Sequence, residues 1–106
     1  MEQVLRALAE PRRQEILQLV ADRELASGEI ATYFEVSRPA ISQHLQVLKA
    51  AGLVSERRVG TRHFYQARPE ALAELKAFLD SFWTDALSRL ASAAEAEQRR
   101  KDRDYT

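Results

Sequence analysis

The sequence predicts a mainly α-helical domain with one small β-hairpin: five helices and a two-stranded antiparallel pair. Three observations predict it. Apolar residues recur at three- and four-residue spacing through most of the chain. Residues that open helices stand where each such stretch begins, at Pro11, Ser27, Ser37 and Pro69. One segment, Leu53 to Ala67, instead gathers valine, phenylalanine and tyrosine around a turn residue, Gly60.

Val4, Leu5 and Leu8 lie at helical spacing, and Pro11 ends that helix and opens a second, because proline fits a first turn and not an interior. The second helix turns Ile16, Leu17 and Val20 inward and is expected to stop near Asp22. Ser27 reads as the N-cap of a short third helix through Phe34, with Glu29 near its positive end. Ile30, Phe34 and Val36 complete that inward face. The fourth helix spans about 38–51: Ser37 caps it, Arg38 and Pro39 fill its first turn, and Gly52 stands where a left-handed residue would stop it. Leu53–Val59 and Thr61–Ala67 are the strands. Pro69 opens the fifth helix, whose stripe runs Leu72, Leu75, Phe78, Leu79, Phe82, Trp83, Ala86, Leu87, Leu90. The domain is expected to occupy residues 1–94, and the charged segment 95–106, EAEQRRKDRDYT, to be a disordered tail.

A chain of 106 residues fits one small domain, which gains burial by pairing with a second copy. Its formal net charge is zero, but the charge is segregated. Residues 37–68 hold six basic side chains (Arg38, Lys49, Arg57, Arg58, Arg62, Arg68) and one acid, Glu56; the flanking segments are net acidic. Positive potential is thus concentrated on the fourth helix and the hairpin. No cysteine is present, which removes disulfides, thiolate metal ligands and a thiol nucleophile. No apolar run approaches a membrane span and no signal-like N-terminus is visible, so the cytoplasm is the expected compartment.

On a wheel of about 100° per residue, Ile41, Leu45 and Leu48 share one face of the fourth helix, and Pro39, Ser42, Gln43 and Gln46 share the opposite one. That face is polar, uncharged and of modest size. It suits the major groove of DNA, where glutamine pairs with adenine and serine with several base edges; a plain solvated face is the other reading. Ala31, Glu35 and Ile41 have helix-turn-helix spacing, which favours the first. The turn position normally takes glycine, so Glu35 is expected to carry left-handed strain. Arg57, Arg58 and Arg62 flank the hairpin tip, where they can grip phosphates or enter the minor groove, or else shield a sheet edge. Their place beside a groove-shaped helix favours DNA. His44 falls on the flank of the core face and is expected to be structural. His63 alternates with Arg62 and Phe64, so only one side of that strand can face DNA.

The segments ALAEPRRQEIL, SRPAISQHLQVLKAAGLV and ERRVGTRHFYQ together resemble the ArsR/SmtB family of bacterial winged-helix transcriptional repressors, over about Val4 to Leu90. The resemblance implies a winged helix-turn-helix that dimerises through its first and last helices. It places Ser37, Arg38, Pro39, Ser42 and Gln43 in the reading region and Arg57, Arg58 and Arg62 on the wing. Val4, Leu5, Leu8, Leu75, Phe78, Leu79, Phe82, Trp83 and Leu87 are then the dimerisation candidates. Many members sense metals through third-helix cysteines or last-helix histidine and carboxylate pairs. This chain has Ala26 and Gly28 where such cysteines are expected and no histidine on its last helix, so it resembles a metal-independent branch, with no metal or cofactor expected.

The expected function is a homodimeric repressor or autorepressor that binds an inverted-repeat operator in double-stranded DNA. The alternative is a winged-helix protein-interaction module that has lost DNA binding; acidic or apolar residues on the reading face and wing would mark it, and Ser42, Gln43 and the three arginines stand there instead. An enzyme is disfavoured, with no glycine-rich phosphate loop and no set of residues for acid–base or nucleophilic chemistry.

Overall fold

The structure is a computed structural model, described for residues 1–104. It contains five helices, α1 (Glu2–Leu8), α2 (Pro11–Leu19), α3 (Ser27–Ala31), α4 (Arg38–Ala50) and α5 (Pro69–Asp104), and three strands, β1 (Leu25–Ala26), β2 (Val54–Val59) and β3 (Arg62–Ala67). The chain divides into a compact unit from Met1 to Leu75 and a second unit from Lys76 onward.

In the first unit the α1–α2 junction is tied by side chains. Arg13 Nε donates to the Ala7 carbonyl (2.6 Å) and Gln14 Nε2 to that of Leu8 (2.6 Å), covering the open C-terminal end of α1. Glu10, extended as a residue before proline must be, caps α2. That helix stops at Leu19, earlier than expected, with Val20 turning out of it.

Ser27 is not an N-cap. Ala26 holds that place and Ser27 is the first helical residue; Glu29 Oε1 reaches back to accept from the Ala26 N–H (3.1 Å), satisfying the donor of the N-cap residue itself. The turn after α3 also corrects the sequence: Glu35 is not left-handed, and among the described residues only Gly52 and Gly60 have positive φ. Successive short-range bonds from the N–H groups of Thr32, Tyr33 and Phe34 to the carbonyls of Glu29, Ile30 and Ala31 carry the chain round with right-handed backbone throughout.

Ser37 caps α4, its Oγ accepting from the Ala40 N–H (3.3 Å). The far end closes as a Schellman motif: Leu53 N–H bonds the Leu48 carbonyl (3.0 Å), Gly52 N–H bonds that of Lys49 (2.9 Å), and Gly52 supplies the left-handed φ of 78°. In β2–β3, Val59 faces Arg62 across a two-residue Gly60–Thr61 loop. Positive φ at Gly60 alone makes it the turn whose twist matches the strands and that takes glycine first. The expected pair of strands is a sheet of three, in the order β1-β3-β2. Two residues cannot show alternation in sequence; β1 exists because Leu25 and Ala26 pair with Tyr65 and Phe64 of β3.

Ile16, Val20, Ile30, Ile41, Leu45, Leu48 and Leu53 are essentially inaccessible and form the core, with Leu17, Val54, Tyr65 and Ala67 also buried. Phe34 and Val36 pack against its edge.

In the second unit α5 continues to Asp104 without the expected change to a disordered tail at 95; Tyr105 and Thr106 lie outside the described residues. Alanines at 91, 93, 94 and 96 are strong helix formers, and Arg100–Glu97 (2.6 Å) and Gln98–Asp102 (3.0 Å) link successive turns. High charge therefore accompanies helix here rather than disorder. Phe82 and Trp83 are more than half exposed, as are Leu87 and Leu90, and Phe82 sits 6.4 Å from Phe78 and 5.8 Å from Trp83, ring centre to ring centre.

Candidate nucleic-acid interface

Helix α4 presents two faces, divided as its sequence implies. Ile41, Leu45 and Leu48 are buried, and Ser42, Gln43 and Gln46 are exposed together. Burial of the apolar face fixes the roll of the helix, so the polar face must point outward. Pro39 and Arg38 are exposed at its start, and Ser37 is occupied as the cap. A shallow groove of about 500 Å³ runs beside this face, lined by Arg13, Ser42, Gln43, His44, Gln46 and Val47. His44 is half-buried on the flank, as expected, with Arg13 Nη1 3.4 Å from its Nδ1. Guanidinium can only donate, so Nδ1 is the acceptor side of this contact.

The hairpin register separates the three wing arginines. Arg57 and Arg62 share one face with Phe64, each with its guanidinium about 5 Å above that ring. Arg57 makes a two-pronged bond with Glu24 (2.6 and 3.1 Å) and Arg62 reaches Glu29 (3.3 Å). Arg57 thereby holds the Glu24 carboxyl below its ordinary range. Two acids of the net-negative N-terminal segment thus lie against the basic hairpin, a compensation invisible in a segment-by-segment charge count. A cleft lined by Arg38, Arg62, His63 and the hydroxyl residues Ser27, Thr32 and Thr61 opens beside them. Gly28 belongs to its floor: a Cβ there would stand 2.9 Å from Arg38 Nη2.

Arg58 points to the other face, toward α4. There Glu56, its side chain only 6% exposed, gathers Arg58 Nε (3.0 Å), Lys49 Nζ (3.5 Å), His63 Nδ1 (3.4 Å) and the Tyr65 hydroxyl (2.5 Å). The Tyr65 hydroxyl bond foremost, with Arg58, His63 and Lys49, outweighs burial and holds the Glu56 carboxyl at about 2. Burial, then Glu56, pushes the Tyr65 hydroxyl up to about 12. Gln46 Nε2 donates to the same hydroxyl (3.3 Å), joining the reading helix to the wing.

The sequence had left Lys49, Glu56 and Tyr65 outside the site. Their grouping was partly accessible: a two-residue loop at Gly60–Thr61 forces Val59 opposite Arg62 and hence Glu56 opposite Tyr65. The expected dimerisation residues divide. Val4 and Leu8 pack against the core of their own unit, and Leu5 remains 40% exposed. On α5, Leu75 is half-buried, whereas Phe78, Leu79, Phe82, Trp83 and Leu87 are exposed. Among the described residues no helix is long and apolar enough to cross a membrane.

A capped helix with a polar outer face, set after a short helix and turn and followed by a hairpin, defines a winged helix-turn-helix protein. Residues 3–56 match the model of the bacterial regulatory protein arsR family, and the chain belongs to that family. It is 50% identical over 91 residues to the HTH-type transcriptional regulator Rv2034 of Mycobacterium tuberculosis, covering 86% of this chain and 85% of that one. With the transcriptional repressor SdpR of Bacillus subtilis it shares 35% identity over 74 residues, 70% of this chain and 82% of the relative. The solution structure of the homodimeric winged helix-turn-helix DNA-binding domain Mb0332 of Mycobacterium bovis superposes with a TM-score of 0.65 at 39% identity, covering 79% of this chain and 78% of that one.

Proposed function

We propose that this chain is a sequence-specific DNA-binding transcriptional repressor that acts in the cytoplasm as a homodimer on an inverted-repeat operator. The observation that carries the proposal is the exposed, uncharged face of α4, with Ser42, Gln43 and Gln46 side by side, adjoining the basic Lys49, Arg58 and His63 around Glu56. Small polar side chains enter a groove without repelling its walls, and the basic groups beside them suit the phosphates that flank it. Arg38, Arg57 and Arg62 extend the positive rim.

The exposed aromatic and leucine stripe of α5 supplies the surface for a second copy, in keeping with the homodimeric relative. Two reading helices would then meet successive major grooves about 34 Å apart. Repression follows from occupying DNA that polymerase needs.

Footprinting on the DNA upstream of the chain's own reading frame, with competition by random duplex at moderate salt, tests the proposal. A symmetric protected site that survives competition is expected. Equal binding to random DNA would exclude sequence-specific repression. Within a bound site, Gln43→Ala should relax preference at one base pair, whereas Arg57→Ala with Arg58→Ala should weaken binding to every sequence.

A further inference from the structure

We propose that Gln46 reads adenine, and that Tyr65 and Glu56 are positioning residues that make it do so by dictating which end of its amide faces the DNA. The inference rests on the DNA-binding role above.

A glutamine amide on a surface helix can present either end. The wing removes that freedom through the order of its donors. Both oxygens of Glu56 are engaged, Oε1 by Arg58 and Lys49 and Oε2 by His63 and Tyr65. An ionised carboxylate only accepts, and a tyrosine hydroxyl owns one proton. Tyr65 must therefore give its proton to Glu56, which leaves its oxygen able only to accept. The group 3.3 Å away on Gln46 is then the NH₂, as found; the carbonyl in its place would set two acceptors against each other. Tyr65 is 4% exposed and cannot swing aside to relieve such a clash.

With its nitrogen turned to the wing, Gln46 presents the carbonyl oxygen outward and keeps one N–H. In the major groove adenine offers an amino donor at N6 beside an acceptor at N7, matching both. Guanine offers acceptors at O6 and N7, which suit the opposite orientation. A glutamine released from Tyr65 could flip and serve either purine, so the Glu56–Tyr65 pair converts a permissive side chain into a selective one.

The test is selection of binding sites from random duplexes by the full chain, its Gln46→Ala and Tyr65→Phe variants, and the double variant. Wild type should favour an A·T pair over G·C about tenfold or more at one position of each half-site. Gln46→Ala and Tyr65→Phe should each cut that preference to about threefold or less, with no further loss in the double variant, since both remove one interaction. Replacing the selected adenine by purine, which lacks the 6-amino group but keeps N7, should weaken wild-type binding severalfold, though less than the G·C pair does, because it removes the donor without setting an acceptor against the Gln46 carbonyl. The salt dependence of binding should be the same for Tyr65→Phe as for wild type, because no phosphate-binding charge is lost.

Tyr65→Phe with the full wild-type preference would overturn the positioning role. A G·C preference at the Gln46-dependent position would overturn the orientation, and Gln46→Ala indistinguishable from wild type would overturn the assignment of the reader. If Tyr65→Phe fails to fold, judged by its melting curve, the purine duplex still decides the orientation. No preference by wild type at any position would remove the repressor proposal itself and this inference with it.

Discussion

Glu56→Gln should abolish a pH-dependent part of the domain's stability. The side chain is almost buried and bonded by Arg58, Lys49, His63 and Tyr65, which hold its carboxyl at about 2 against an ordinary 4.5. A depressed acid stabilises the folded state above its unfolded value and loses that contribution as the pH falls through its folded one. At about 1.4 kcal/mol per pH unit, the contribution is about 3 kcal/mol at pH 7, falls to about 1 kcal/mol at pH 3 and is nearly gone at pH 2. Glutamine fills the same space but cannot carry the charge its four donors require. The assay is urea unfolding of wild type and variant at several pH values and one protein concentration, because pairing of subunits makes stability concentration-dependent. Other carboxylates contribute equally to both proteins and cancel in the difference. The gap should be about 3 kcal/mol at pH 7 and shrink steadily between pH 4.5 and 2. A gap that stays constant across this range, or one below about 1 kcal/mol at pH 7, would refute the account of Glu56 as an ionised hub.

Three other outcomes are expected. Glu24→Gln with Glu29→Gln frees Arg57 and Arg62 from their acidic partners, so DNA binding in a gel-shift titration should tighten at low salt and fall more steeply as salt is added; an unchanged slope would mean those arginines do not meet phosphate. Leu45→Ala empties an inaccessible position in α4 and should cost about 2–5 kcal/mol in denaturant unfolding. Trp83→Asp places a charge in the exposed stripe of α5 and should shift sedimentation equilibrium toward monomer, leaving the helical circular dichroism of the first unit in place.

Local chemistry was legible wherever the sequence carried a short-range signal. Pro11 and Gly52 open or end helices through their own backbones and Ser37 through its hydroxyl, and the spacing of Ile41, Leu45 and Leu48 fixed which side of α4 is buried before any neighbour was known. The same logic misled where a local rule had a tertiary or alternative solution. The N-cap expected at Ser27 fell one residue earlier, where Glu29 reaches back to the Ala26 N–H, tight right-handed turns removed the strain expected at Glu35, and intrahelical pairs kept 95–104 helical.

What the sequence determined by itself was the order of the helices, the two faces of α4 and the concentration of basic residues beside it. Periodicity and capping involve neighbours a few positions apart, so the chain displays them openly. Tertiary structure alone decided that β1 exists, that Arg57 and Arg62 lie against Glu24 and Glu29, and that the strand face carrying Arg58 and Glu56 lies beneath the reading helix. Glu24 and Glu29 are separated from the hairpin arginines by 33 positions along the chain and meet them only when β3 is laid between β1 and β2, whereas Arg58 and Glu56 share one strand face two positions apart. Pairing across a sheet depends on register: the Gly60–Thr61 loop fixes it locally for β2 and β3, but no short loop fixes it for β1 against β3, so that pairing and the contacts it brings are decided by the fold.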